Sequence, residues 1–401
     1  MKVIILGGSG VIGSYAAESL VKEGNFSDVT IGDINIDKAK AAAELLGEKA
    51  SYKKVDIYDS EQLREAIRGY DLVVNCIGPF YKNADIVIQA SLDEKANFLD
   101  ICDDYDAAEL LLTYDQRFKE AGLLAVICAG ASPGMMNILA AIGAGKLDET
   151  EAVDTSWIEN SLDTVGATSV FYHAAHFVDG NIPQFLDGEQ VYVPALSGTT
   201  EFEFPGIGTY PVHYVGHPEP VTLPKFIKGL KRVTNRGNGY PLNQDYANGL
   251  LGFFAKLGLT SKDLVLNING GQITPRDFLC HYLPIAAVSE DIPEEFKASE
   301  GELDNVGHFL IRVDVHGYKG EQAQHIVYLG TCGHTRIATG GTAAYIANLI
   351  GSGRLNAITG VVAPEGCVSG IDEAHFYQYL SSIGVELTQI TNDEEPVALG
   401  I

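Results

Sequence analysis

The chain has 401 residues, 46% of them hydrophobic, which is more than one ordinary core holds and predicts two domains. A formal net charge of −26 repels phosphate backbones and anionic lipid surfaces, so neither nucleic acid nor a membrane is an expected partner. Six scattered cysteines without a CxxC pair, no apolar run of spanning length, and only "VIIL" before the first glycines read as a cytoplasmic protein with reduced thiols and no leader.

The first element is "KVIIL", residues 2–6, a short β-branched run that reads as a strand buried on both faces. Gly8-Ser9-Gly10-Val11-Ile12-Gly13 follows, and a helical pattern then runs to Gly24. Placed between a strand and a helix, these glycines read as a dinucleotide turn. Gly8 permits the tight bend, Gly10 lets backbone approach a pyrophosphate, and Gly13 lets helix and strand pack closely. The helix N-terminus then receives the phosphates. "DVTIGD" is the second strand and ends at Asp33, 20 residues after Gly13, where a carboxylate accepts from the ribose hydroxyls. Asp33, followed by Ile34 and Asn35, disfavours a 2′-phosphate and points to NAD, with Lys38 the one nearby cation that would admit NADP.

"IDKAKAAAELLG" reads as a helix, "YKKVDIYD" as a strand and turn, "SEQLREAIRG" as a helix, and "DLVVNCIG" as the fourth strand. "ADIVIQASLDEKA" is a helix, "NFLDICDD" a strand, "AAELLLTYDQRFKEAG" one helix, and "LLAVICAG" the sixth strand. That alternation is the rhythm of a doubly wound parallel Rossmann sheet. Ligands of such sheets sit beyond the carboxyl ends of the strands. Asp56-Ile57 should therefore flank the adenine, and Cys76-Ile77-Gly78-Pro79 and Ala131 should line the path to the nicotinamide. Asp103 ends the fifth strand. It is a candidate acid–base group, the alternative being that it and Asp104 cap the next helix.

Beyond Leu147 period-two runs such as "EQVYVPAL", "TEFEFPG" and "HFLIRVDVHG" predict a mainly antiparallel α+β domain. "GGTAAYIANLIGSG" and "DEAHFYQYLSSIG" return to a helical pattern. The expected division is a discontinuous dinucleotide domain, 1–134 and 335–401, with a substrate and dimerisation domain, 135–334, inserted.

Sugar-nucleotide epimerases and short-chain dehydrogenases share the opening turn but need a Tyr followed four residues later by Lys, and no tyrosine here has that partner. The runs "DLVVNCIGPFYKNADIVIQASLDEKANFLDICDD", "AGLLAVICAGASPGMMNILA", "VYVPALSGTTEFEFPGIGTYPVHYVGHPEPVTLPKFIKGLKRVT", "YANGLLGFFAKLGL" and "TGVVAPEG" occur in an order that resembles the saccharopine dehydrogenase (reductase)-like family, including lysine 6-dehydrogenases and carboxynorspermidine dehydrogenases. The resemblance implies a Rossmann domain, an inserted domain that also builds a homodimer, and redox chemistry at a carbon–nitrogen bond. It departs from saccharopine reductases at Phe80, where tyrosine is usual, and around Ser132 and Met135-Met136-Asn137.

Such chemistry needs a base for the amine proton, and Asp103, His217 and Tyr81 are the catalytic candidates. His217 lies in the proline-fixed "YVGHPEPVTLP", the alternative being a solvent-facing loop histidine. An amino-acid-like substrate also needs a carboxylate clamp, and Arg232 and Arg236 in the acid-free "PKFIKGLKRVTNRG" are chosen for it, with Glu219 as a further substrate contact. His173 and His176 read as structural, and no metal site is expected. Two other readings stay open: an NAD-binding sensor without turnover, and a dehydrogenase of hydroxy or carbonyl substrates.

Overall fold

The computed structural model describes residues 1–160, 168–204, 208–240, 249–286, 309–392 and 394–400. Parts of the quoted runs, residues 205–207, 241–248 and 308, lie outside the described residues.

The N-terminal part alternates β1 (Lys2–Leu6), α1 (Val11–Glu23), β2 (Asp28–Asp33), α2 (Ile36–Leu46), β3 (Ala50–Lys54), α3 (Ser60–Ile67), β4 (Leu72–Asn75), α4 (Phe80–Asp93), β5 (Asn97–Asp100), α5 (Tyr105–Leu112), α6 (Asp115–Ala121) and β6 (Leu124–Val126). Val3 to Leu6 and all of β4 are buried, which explains their unbroken apolar sequences. Local chemistry sets the helix ends. The Asn35 side chain accepts from the Lys38 N–H, the Asp59 side chain accepts from Glu61 and Gln62 N–H, and Gly24 closes α1 in the left-handed conformation at φ 79°. The single helix expected across 107–122 is divided. Thr113 turns its hydroxyl back onto the Leu110 carbonyl at 2.6 Å, and the Tyr114 hydroxyl reaches across to Asp85 at 2.6 Å. In "YKKVDIYD" the strand ends at Lys54 and the turn follows, so Asp56 and Ile57 fall in the loop after β3.

The chain continues through α7 (Met135–Gly145), β7 (Glu149–Asn160), α8 (Thr168–Phe177), β8 (Asn181–Leu186), β9 (Glu189–Pro194), β10 (Thr200–Phe204), β11 (Gly208–Tyr214), α9 (Glu219–Phe226), β12 (Arg232–Tyr240), α10 (Leu250–Lys256), β13 (Leu266–Ile268), β14 (Gly271–Ile273) and α11 (Pro275–Ala286). It ends with β15 (Phe309–Lys319), β16 (Gln322–Cys332), α12 (Thr335–Gly351), β17 (Gly360–Val362), a 3₁₀ turn (Pro364–Gly370), α13 (Glu373–Ser382), β18 (Val385–Thr391) and β19 (Val397–Leu399).

Two large sheets result. The first is parallel throughout, ordered β17-β6-β5-β4-β1-β2-β3. The second runs β10-β11-β12-β7-β15-β16-β18-β19, with β8 on β12 and β9 on β8, and is antiparallel except where β12 meets β7. The return of the tail is therefore partial. β17 closes the first sheet and α12 lies along α1, where a Cβ on Gly340 would stand 3.0 Å from the Ile12 carbonyl. β18 and β19, by contrast, extend the second sheet, so residues 385–399 do not go back to the first.

The second sheet is two-faced because successive side chains alternate. Val153, Trp157, Val233, Ile311, Val313 and Val315 join one apolar core with β1, β4 and β5 of the first sheet. Asp154, Arg232, Arg236, Arg312, Asp314 and His316 occupy the other face.

Gly13 shows how tightly the opening turn is closed: a Cβ there would lie 2.3 Å from the Gly7 carbonyl oxygen. Gly13→Ala is expected to lower stability by about 1–3 kcal/mol, the ordinary cost of overpacking, read as a lower urea midpoint with unchanged slope.

Candidate functional site

The β1–α1 turn presents the N–H groups of Val11, Ile12 and Gly13, which have no partner within the helix, beyond the carboxyl end of β1. Ser9 and Asp33 tie the turn to β2. The Ser9 hydroxyl donates to Asp33 Oδ2 at 2.6 Å, and Asp33 Oδ1 accepts from the Asn35 N–H at 3.0 Å. The carboxylate is thus aimed before any ribose arrives, with Ile34 exposed beside it. In the next loop Asp56 accepts from the Tyr58 N–H and Ile57 is buried. The Tyr58 hydroxyl donates to Asn83 Oδ1 at 2.7 Å, and Asn83 Nδ2 donates to the Gly78 carbonyl at 3.1 Å, so the loops after β3 and β4 are joined. Cys76 donates its N–H to Leu6, and Ile77 donates to Asn75 Oδ1. The Gly78–Pro79 and Ser132–Pro133 peptides are cis. Gly8 through Gly13, Asp33, Cys76 and Ile77 follow the ends of β1, β2 and β4 and form a candidate cradle, with Gly78 and Pro79 after them; Ala131, in the turn after the sixth strand, is buried. These residues fit a dinucleotide: free N–H groups for phosphate, a carboxylate for ribose, and glycines where a Cβ would obstruct.

Next to this cradle, α8 and the loop before α9 come down onto the end of β5. His173 Nδ1 lies 3.4 Å from Asp103 Oδ2 and 3.4 Å from Asp104 Oδ1. Its Nε2 is 3.2 Å from His217 Nε2. His217 Nδ1 faces Glu219 Oε2 at 3.5 Å, and Glu219 Oε1 accepts from the Ser132 hydroxyl at 2.5 Å. A continuous line runs from Ser132 through Glu219, His217 and His173 to the two aspartates. One of the facing Nε2 atoms must donate and the other accept, so a proton is shared between the rings.

Burial shapes the charges. Desolvation pushes the Asp103 carboxyl up, against the pull of His173. It also acts to raise Asp104, but His173 and the Tyr81 N–H, 2.9 Å from Asp104 Oδ2, bring that carboxyl below its ordinary value. On His173 desolvation acts downward and is outweighed by Asp103 and Asp104, which raise the imidazole to about 9. Underneath, Asp100 accepts from the Cys102 and Cys128 N–H groups, and burial lifts its carboxyl to about 7. Glu365 accepts from Asn137 Nδ2 at 3.1 Å, and burial lifts it to about 7 as well. Asn137 also accepts from the Gly134 N–H and donates to Thr222, pinning the Ser132 turn to α9.

The structure brings Asp103, His217 and Glu219 together and adds His173, Asp104 and Ser132. His217 is buried against Trp157, ring centroids 5.3 Å apart, and is not a solvent-facing loop residue. Tyr81 stands beside the line. Its ring stacks on His176 at 4.5 Å, and burial raises its hydroxyl to about 12, which removes it as a base near neutrality. His176 diverges from His173. Its Nδ1 faces Arg276 at 2.8 Å and must accept, so its Nε2 donates to Asp106 at 3.0 Å.

Arg232 and Arg236 are not brought to this cluster. They lie on β12 and not on a helix. Asn235, one residue away, donates to Thr155 and accepts from Trp157 on the inner face, so Arg232 and Arg236 point outward. Arg232 is spent on Asp154 at 2.6 Å, and Arg236 on Thr234, Tyr214 and the Gly198 carbonyl. His173 was visible in sequence only as half of an HxxH pair; its aspartate partners arrive from 69 residues away.

The glycine turn, the acid ending β2 and the parallel sheet define the first domain as a Rossmann dinucleotide-binding domain, and the chain as a two-domain protein of the NAD(P)-dependent oxidoreductase class. Residues 3–126 match the family described as saccharopine dehydrogenase NADP binding domain. Carboxynorspermidine synthase of Vibrio alginolyticus is 25% identical over 308 residues, 71% of this chain and 73% of that protein. Carboxyaminopropylagmatine dehydrogenase of Synechocystis sp. is 26% identical over 355 residues, 83% of this chain and 82% of that one. Among solved structures, apo saccharopine dehydrogenase (L-Glu forming) of Saccharomyces cerevisiae has the same fold, with TM-score 0.63 and 13% identity, covering 97% of this chain and 99% of that one. Among the described residues no helix is long and apolar enough to cross a membrane.

The raised His173 value has a pH signature. The stabilisation from holding its charge is complete below the ordinary 6.5 and is lost as pH rises through about 9. Wild type should therefore lose stability between pH 7 and 10 more steeply than His173→Gln, by urea midpoints across that range. Parallel curves would remove the assigned charge.

Proposed function

We propose that this protein is an NAD(P)-dependent dehydrogenase of a carbon–nitrogen bond in an amino acid or amino-acid conjugate. The observation that carries the reading is the buried line Ser132–Glu219–His217–His173–Asp103/Asp104 beside the end of the dinucleotide cradle. The names of the two relatives, a carboxynorspermidine synthase and a carboxyaminopropylagmatine dehydrogenase, support a substrate that carries both amine and carboxylate.

A bound dinucleotide supplies or accepts the hydride. Before a hydride can leave an amine-bearing carbon, the ammonium must lose a proton, and Asp103, the most exposed member of the cluster, is the group to receive it. His173 and His217 share a proton of their own between their facing Nε2 atoms, and its charge, held beside Asp103 and Asp104, sets the field in which Asp103 acts. Glu219 steadies His217, and Ser132 occupies its other oxygen. The aspartates and Glu219 make the cluster acid-rich, which suits an ammonium substrate. The carboxylate clamp expected at Arg232 and Arg236 has no place in this reading. Asp33, aimed by Ser9, favours NAD over NADP.

The division into a dinucleotide domain built on 1–134 and an inserted substrate domain from 135 to 334 belongs to the same proposal, as do a cytoplasmic location, a role in lysine or related amino-acid metabolism, and a homodimer. Free cysteines support the first of these three. Phe253, Leu257, Phe278, Tyr282 and Ile285, exposed on α10 and α11, support the dimer.

The test is reduction of NAD or NADP by purified protein with lysine, saccharopine and carboxylated polyamines, with dinucleotide affinity measured in parallel. His173→Ala and His217→Ala should each lower kcat about 10²–10⁴-fold and leave dinucleotide affinity within about twofold. Turnover only on hydroxy acids, or tight dinucleotide binding without turnover on any amine, would sink the reading. Asp33→Ala should narrow the preference for NAD; an enzyme that prefers NADP before the substitution would remove the role given to Asp33.

A further inference from the structure

We propose that the outer face of the second sheet carries a binding site for a borderline divalent cation, Zn²⁺ by its donor set, formed by Asp314, His316 and His325. The three come from adjacent antiparallel strands. Asp314 and His316 are two apart on β15 and share a face, and His325 on β16 stands directly opposite His316. One donor atom from each lies within 4.8 Å of the others. His325 Nε2 is 2.7 Å from Asp314 Oδ1, and the two imidazoles stack with centroids 4.2 Å apart and planes 10° from parallel.

Two donor atoms of a tetrahedral zinc ion stand about 3.3 Å apart, given bonds of roughly 2.0 Å, so the ion needs only small outward shifts of His325 and His316. Those side chains are 34% and 37% exposed and free to make them, whereas Asp314 is buried at 6%. Arg312 fixes Asp314 from behind, its Nε donating to Oδ2 at 2.8 Å and its Nη2 to Oδ1 at 2.9 Å, as outer partners of metal carboxylates do. His316 Nε2 is 3.8 Å from Asp154 Oδ2, beyond hydrogen-bond reach, so no bond to that carboxylate has to break. Asp154 itself is neutralised by Arg232. A cavity of about 260 Å³, bordered by His316, His325, Glu151 and Asn392, gives the ion an entry path and room for water. Three protein donors of the His₂–carboxylate type leave the fourth tetrahedral position to that water. The dehydrogenase chemistry makes no use of this face, since Arg232 and Arg236 share it and point away from the histidine pair.

The test is titration of the chelator-stripped full chain with Co²⁺, followed by visible absorption, and with Zn²⁺, followed by the melting temperature. One Co²⁺ per chain with a tetrahedral absorption band, displaced by Zn²⁺, is expected. His316→Ala and His325→Ala should each weaken binding at least about tenfold, and Zn²⁺ should cease to raise their melting temperature. His173→Ala, which breaks the other carboxylate–histidine cluster, should leave the Co²⁺ titration unchanged. The proposal fails if no band saturates below about 1 mM. It also fails if His316→Ala and His325→Ala titrate like the wild type, or if His173→Ala is the variant that loses the ion.

Discussion

The arrangement depends on one buried electrostatic contact, the approach of His173 to Asp103 and Asp104. The aspartates lie in the loop between β5 of the first sheet and α5, and the histidine sits on α8 of the second part of the chain. Each group alone would be costly to desolvate, the carboxylates because they are ionised and the imidazole because its charge is stabilised there. Together they hold charge in a half-buried place, where Asp104 is covered and His173 and Asp103 keep partial exposure. The contact therefore joins the two parts of the chain and gathers the carboxylates and the histidine pair in one place. Around it the Tyr81 N–H bonds Asp104, Asn137 bonds Glu365 and two backbone N–H groups bond Asp100, while the Tyr81 hydroxyl, Asp100 Oδ2, His217 Nδ1, Glu219 Oε2 and Glu365 Oε1 are buried without a hydrogen-bond partner among the described residues.

The second sheet makes a different kind of decision. Its inner face is continuous with the Rossmann core through Val153, Trp157, Val233 and Val313. Its outer face is polar and collects Asp154, Asp314 and three arginines, Arg232, Arg236 and Arg312. A single strand such as β12 thus presents Asn235 to the buried side and its arginines to the other. Asp154 and Asp314, which meet across β7 and β15, absorb those charges. The arginines that look like an anion site in one dimension belong, in three, to a salt-bridge layer built on two aspartates.

Much of the fold was legible. The first four strands, the glycine turn and Asp33 follow from apolar runs, turn residues and the fixed spacing between turn and acid, all local properties. That Asp103 and Pro79 fall in the loops after the fifth and fourth strands was readable for the same reason, although β5 stops at Asp100, three residues before the expected end. His217 was marked through its proline-rich loop, yet its burial against Trp157 was not, because nothing local says which face of a loop is covered. The split of the helix over 107–122 and the departure of residues 385–399 to the second sheet were equally hidden. Both depend on partners far along the chain, Asp85 in one case and β16 in the other.

The sequence alone determined the cofactor class, since a dinucleotide cradle is one βαβ unit whose glycines, helix start and carboxylate lie within about 35 residues. It also determined where strands would end and so which loops could meet a ligand. Only the tertiary structure decided which residues do meet. It brought His173 onto the aspartates, turned Glu219 inward onto His217, and sent Arg232 and Arg236 to the opposite face of a sheet. The physical reason is that local spacing constrains backbone conformation, whereas the pairing of buried charges is settled by whichever long-range packing leaves the fewest of them unsatisfied.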